Sequence, residues 1–294
     1  MDRSRKIPEL LLLLFVLGFS VDLQSKAELS ALSYYYDPQA SMSLDEFIDK
    51  VESRGIYEAF ESADLPMGYG DHWLFGSVGP VEAQASDEWI LEINFPNIDR
   101  VEAFLRYSDG RVNRFLLGDE VAFSVWPSGN RKPSIPLSLP DSGSVKVYFR
   151  VNSETPLIFP LTLITKQDQS SLQGKEYFLY GLFYGSIFIL ALYNAGVYFS
   201  LRDKSYLFYI LYILSFSLVQ ASTTGIGQQY LWPALDNATT RIALLAIVMT
   251  NYFMIYFVIH FLDVKSHAPA LIKPLRLLAW AVLLCAPLLL LPRY

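Results

Sequence analysis

Three histidines, one cysteine and a scatter of arginines and aromatic side chains are the reactive inventory of this 294-residue chain. None of His72, His260 and His267 pairs with another at metal-ligand spacing. Cys285 stands alone in an apolar run, so neither an intrachain disulfide nor a cysteine-based metal site can form. There is no Gly-rich phosphate loop and no nucleophile elbow. The sequence therefore reads as non-catalytic, with no cofactor and no metal. What remains is recognition. Trp73, Tyr107 and Trp126 offer flat faces that stack on sugars and other planar ligands. Arg106, Arg114, Arg131 and Arg150 can each grip a carboxylate through two parallel hydrogen bonds. Each also has a plainer reading. A tryptophan in a β-sandwich is usually core, and an arginine on a strand usually sits at a solvated edge.

The elements that would carry these residues divide into two halves. Overall, 52% of residues are hydrophobic and 18% charged. From Val21 to Glu176 there are 24 acidic against 13 basic residues; from Tyr177 to Tyr294 there are 3 against 7. An acidic, water-soluble half precedes a lipid-soluble half. The acidic balance argues against a nucleic-acid partner, because phosphate needs basic patches.

Arg3, Arg5 and Lys6 followed by the short apolar run Leu10–Leu17 read as an export signal, with cleavage expected after Ser20. The soluble domain is expected over residues 28–166. Ser43 and Glu46 form a capping box for a short helix whose apolar face is Leu44, Phe47, Ile48 and Val51, with Gly55 as its stop. The remainder alternates with period two. Trp89, Leu91, Ile93 and Phe95 face one way. So do Val145, Val147, Phe149 and Val151, opposite Lys146, Tyr148 and Arg150. Asp109-Gly110 joins the runs 101–107 and 111–117 as a hairpin. Further strands are expected at 134–139 and 157–165, and Tyr34, Tyr35 and Tyr36 read as an edge strand. Many short strands with turns between them predict an all-β, jelly-roll-like sandwich with one short helix, followed by an α-helical transmembrane bundle.

Four apolar spans are expected in residues 177–294: 177–200, 206–224, 242–262 and 277–291, the last being short for a bilayer. Arg202 and Lys204 follow the first span; Lys265, Lys273 and Arg276 follow the third. The positive-inside rule puts those loops in the cytoplasm and the soluble domain outside, in agreement with the export signal. Gly181 and Gly185, extended by Gly196, have the spacing that lets another helix approach, either within one bundle or in a homodimer. Asn194, Gln220 and Asn251 are expected to hydrogen-bond between helices. Asn237-Ala238-Thr239 matches a glycosylation acceptor, which a bacterial origin would void.

Tyr180-Gly181-Leu182-Phe183-Tyr184-Gly185, Leu192-Tyr193-Asn194 and Leu201–Leu207 resemble the first two helices of the bacterial seven-transmembrane receptors with diverse intracellular signalling modules. Gly225–Pro233 resembles the outer loop that follows, and Phe261-Leu262-Asp263 with 269–275 continues the likeness. Upstream, 67–70 with His72-Trp73-Leu74, and Val147–Val151, are similar to the type-two extracellular sensor domain of those receptors. The resemblance implies a jelly-roll sensor for a carbohydrate-like or other small ligand. It also implies seven helices in the bacterial inner membrane, four of them within this sequence. The cytoplasmic output module would be a histidine kinase, a diguanylate cyclase or a phosphatase. Relatives often carry an arginine two positions after the tryptophan; here Phe75 stands there. In a signal-transducing receptor the polar segment 167–175 would couple sensor to helices; the alternative is a transporter-associated or cell-envelope scaffold protein with an exported protein-binding domain.

Overall fold

A computed structural model describes residues 31–60, 70–79, 88–139, 144–153, 159–235 and 238–289. The export signal, residues 67–69 and Asn237 lie outside them. The sensor half contains β1 (Ser33–Asp37), α1 (Leu44–Phe47, continued by a π-helical stretch Ile48–Glu52), β2 (Glu58–Ala59), β3 (Asp71–Val78), β4 (Trp89–Ile93) and β5 (Arg100–Arg106). It continues with β6 (Val112–Leu117), β7 (Ser134–Leu137), β8 (Val145–Asn152) and β9 (Leu161–Thr165). These form two antiparallel sheets, ordered β2-β1-β3-β8-β5-β6 and β7-β4-β9. The expected β5–β6 hairpin is present and closes on Gly110 at φ +87, a backbone that favours glycine. The capping box is present as well. The Ser43 side chain accepts from the Glu46 amide, and the Glu46 carboxylate accepts from the Ser43 amide.

The period-two pattern decides what fills the space between the sheets. Leu74, Trp89, Leu91, Ile93, Val101, Leu105, Ile135, Val147, Phe149 and Leu163 meet there as the main core. The opposite face of the larger sheet departs from the simple alternation. It is not solvated, because α1 lies across it. Phe47 and Val51 pack on Trp73, Phe75, Phe104 and Tyr148 in a second core. Tyr148 therefore turns away from the main core yet is fully buried. The tyrosine strand β1 is one position in from the edge and is flanked by the two-residue β2.

The second half contains α2 (Lys166–Leu201), α3 (Lys204–Thr223), α4 (Ala238–Phe261), α5 (Val264–His267), α6 (Ile272–Leu284) and α7 (Ala286–Leu289). Among the described residues three helices are long and apolar enough to cross a bilayer: α2, α3 and α4, of 36, 20 and 24 residues. The fourth expected span is a 13-residue helix, α6, that stops at Leu284 and resumes as α7 after Cys285. Pro287 explains the break, since it has no amide to give and its ring collides with the carbonyl four residues back. The intramembrane amides also differ from expectation. Asn194 donates to the carbonyl of Leu190 and Asn251 to that of Ile247, each in its own helix, at 2.8 Å. Gln220 accepts from Thr223, one turn on, at 3.5 Å. A carbonyl four residues back lies within reach of a helical amide, so one of its donors is met inside its own helix.

Candidate functional site

The feature that unites the two halves is their junction. Strand β9 ends at Thr165 and α2 begins at Lys166, with no residue between them. Thr165 is at once the last strand residue and the helix cap. Its hydroxyl oxygen accepts from the Asp168 amide at 3.1 Å and its hydroxyl donates to the Asp168 carboxylate at 2.8 Å. The Lys166 amide donates to the Glu88 carbonyl at 2.8 Å, which ties the first helical residue to β4's approach. The segment 167–175 is thus the first three turns of a single helix of about 54 Å that starts on the sheet and continues as an apolar span.

Those turns are pinned by a polar network. Gln169 is buried. Its amide donates to Glu92 at 2.6 Å and to Ser134 at 3.1 Å, and accepts from Asn130 at 2.8 Å. Glu92 and Ser134 are direct cross-strand partners on the outward face of the small sheet. Lys132 reaches Glu176 at 2.9 Å and Glu92 at 3.6 Å. Arg131, 4% exposed, pairs with Glu176, donates to the Thr224 carbonyl at 2.8 Å and lies 5.1 Å from the Tyr180 ring centre. One side chain from the β6–β7 loop therefore holds the entry of α2 and the exit of α3.

The α3–α4 connection completes the contact. Gly225 adopts φ +77, and a Cβ there would stand 2.6 Å from the Arg131 carbonyl, so glycine is what lets the loop close on the sandwich. Gln228 donates to the carbonyls of Gly118 and Val121 at 3.3 and 3.2 Å, and Gln229 to that of Gly129 at 2.8 Å. Tyr177 of α2 donates to Gln229 at 2.8 Å. At the start of α4, Thr240 donates to the buried Asp119 carboxylate at 2.7 Å. Burial pushes the Asp119 carboxyl up to about 7; the Thr240 bond opposes this, and Asp99 and Glu120 reinforce it. The α3–α4 connection thus packs against the sandwich, whereas Arg202, Lys204 and Lys265 follow the far ends of α2 and α4.

Two family models match. One, described as 7TM diverse intracellular signalling, covers residues 176–294; the other, 7TMR-DISM extracellular 2, covers residues 29–165. The chain belongs to the 7TM receptors with diverse intracellular signalling modules. No curated protein matches it. The two matched segments meet at the junction just described. The receptor is a membrane signalling protein with an extracellular N-terminal sensor domain.

The receptor does not gather its sequence-predicted recognition residues into one place. Trp73 is fully buried and cannot offer a face, because Phe47 stacks on it at 4.4 Å. Trp126 is in the main core against Phe123, and Tyr107 joins that core with Arg111 5.1 Å from its ring. Arg106 is exposed at the end of β5. Arg150 lies 5.8 Å from the Trp73 ring, pairs with Glu102, and approaches Asp71 at 3.8 Å. It borders a small polar recess of about 240 Å³ with Arg100 and Asn152. Burial alone would raise the Glu102 carboxyl, but Arg114, Arg150 and Arg100 outweigh it and hold it below the usual carboxylate range. Arg131 is the predicted residue that reaches the junction. Its partners Glu176 and Thr224, and the other junction residues Gln169, Gln228 and Asp119, were not singled out individually by sequence. The sequence marked the coupling segment 167–175 and the outer loop 225–233, which hold Gln169 and Gln228, and the change from charged to apolar residues after Glu176. Around Gly181, Gly185 and Gly196 an added Cβ would meet nothing within 4 Å.

Proposed function

We propose that this receptor senses a small extracellular ligand, carbohydrate-like in chemistry, and passes the event through its helices to a cytoplasmic output module at the bacterial inner membrane. The observation that carries the reading is the uninterrupted run from β9 into α2. A change in the outward face of the small sheet cannot be absorbed by a linker, because none exists. It must move α2, strain the Arg131–Glu176 contact, or both. A ligand drives such a shift only by binding one arrangement better than the other. Lys265, Lys273 and Arg276 beyond α4, with Arg202 and Lys204, support placing that end in the cytoplasm of a multi-pass protein. The open face at Gly181 and Gly185 suits close approach by a further helix of the receptor or by a second copy.

The test is a Gly-Ser-Gly insertion between Gln173 and Gly174, made in the receptor together with its output module. Ligand-dependent output is expected to vanish while the sandwich still melts cooperatively. Output that survives the insertion would remove the reading.

A further inference from the structure

The outward face of the small sheet carries an open groove of about 650 Å³ beside α2, a volume within the range of small-molecule sites. Ile90 and Pro136, paired directly across β4 and β7, supply its apolar surface. Asn130 and Ser138 border it from the sandwich; Ser170 and Gln173 border it from the first turns of α2. The charged residues at the rim are Glu88 and Lys166, which neutralise each other at 2.6 Å and are both well exposed. The lining therefore presents uncharged donors and acceptors over an apolar patch, with no net charge to balance an ionic ligand. Below the rim, buried Gln169 is already held by Glu92, Ser134 and Asn130, so Asn130 belongs both to the groove and to the junction.

From this we infer that the groove is the receptor's ligand site, and that it takes an uncharged molecule bearing several hydroxyl or amide groups. The inference rests on the receptor reading above and assigns it a place. A ligand here touches strand and helix at once, so its affinity depends on where the start of α2 lies. That is the differential binding a sensor requires.

The experiment is calorimetric titration of the whole chain in nanodiscs with two neutral probes, maltose and N,N′-diacetylchitobiose. Citrate and spermidine serve as charged controls. Ser170→Trp fills the groove from an exposed helical position. Ser171→Trp, at the neighbouring exposed position outside the lining, controls for bulk. At least one neutral probe is expected to bind the wild type and Ser171→Trp, with roughly tenfold or greater loss in Ser170→Trp. Absence of binding by both neutral probes, equal binding by Ser170→Trp, or a preference for the charged controls would overturn the assignment. The assay reads binding alone. Failure of the groove therefore leaves the insertion test of transmission intact, and failure of that test leaves the groove intact.

Discussion

In the sandwich the side chains withdrawn from solvent are Leu74, Leu91, Ile93, Val147 and Phe149, whereas α2, the longest helix, withdraws Gln169 and Asn194. The large apolar residues of α2, such as Phe188, Ile189 and Tyr193, point outward. The contrast follows from the medium. In water, burying apolar area supplies most of the stabilisation. In lipid, apolar side chains are already at home, and it is the amide or hydroxyl that must find a partner inside the protein. Between the two regions stands a junction that obeys neither rule alone. Its contacts are charged or amide groups, withdrawn from water and paired with each other.

Substitutions should sharpen this comparison in a definite order. Leu91→Asp places an unpaired charge in the main core and is expected to leave the sandwich unfolded; loss of the cooperative melting transition would register it. Arg131→Ala removes a buried guanidinium with its bonds to Glu176 and the Thr224 carbonyl, while Glu176 keeps Lys132; the expected cost is on the order of 2 kcal/mol, read by chemical denaturation of the whole chain in detergent. Phe188→Ala, on the outward face of α2, is expected to change stability by less than about 0.5 kcal/mol in the same assay. If Phe188→Ala proved as damaging as Arg131→Ala, the outward face of α2 would be a packed surface and the contrast would fail.

A pH titration probes the junction itself. The Asp119 carboxyl is raised from an ordinary value near 3.8 to about 7 in the folded protein. The folded state then holds a proton that the unfolded state has lost. Its contribution is fully present below about pH 4 and is lost as pH rises through 7. The folded chain should therefore lose stability from pH 4 to pH 8. Asp119→Asn should flatten that dependence, as followed by melting of the whole chain across the range.

How much of this could be read in the residues differs by region for the same physical reason. Strands with one face toward a core must alternate, so β4, β8 and the β5–β6 hairpin were legible in Trp89–Ile93, Val145–Val151 and Asp109-Gly110. The capping box gave the start of α1, but not that α1 would cover Trp73 and Tyr148, since tertiary placement leaves no period in the sequence. In the membrane half length and charge located the helices. An all-apolar surface has no preferred face, however, so which side of α2 meets α3 was not legible. The junction was least legible of all. Arg131 meets Glu176 45 residues later and Thr224 93 residues later, and Asp119 meets Thr240 across 121. The shift from a polar to an apolar stretch marked where coupling would occur but not which partners would hold it.

Hydrogen–deuterium exchange across residues 166–176 of the whole chain in nanodiscs tests the central claim most directly, because a rigid path from sheet to membrane requires those amides to be helical and docked. Beyond the unbonded first turn, protection comparable to that of the following apolar stretch is the result this account predicts. Exchange at the rate of an unstructured peptide would mean that sandwich and helices are joined by a loose tether, and the account of transmission would be contradicted.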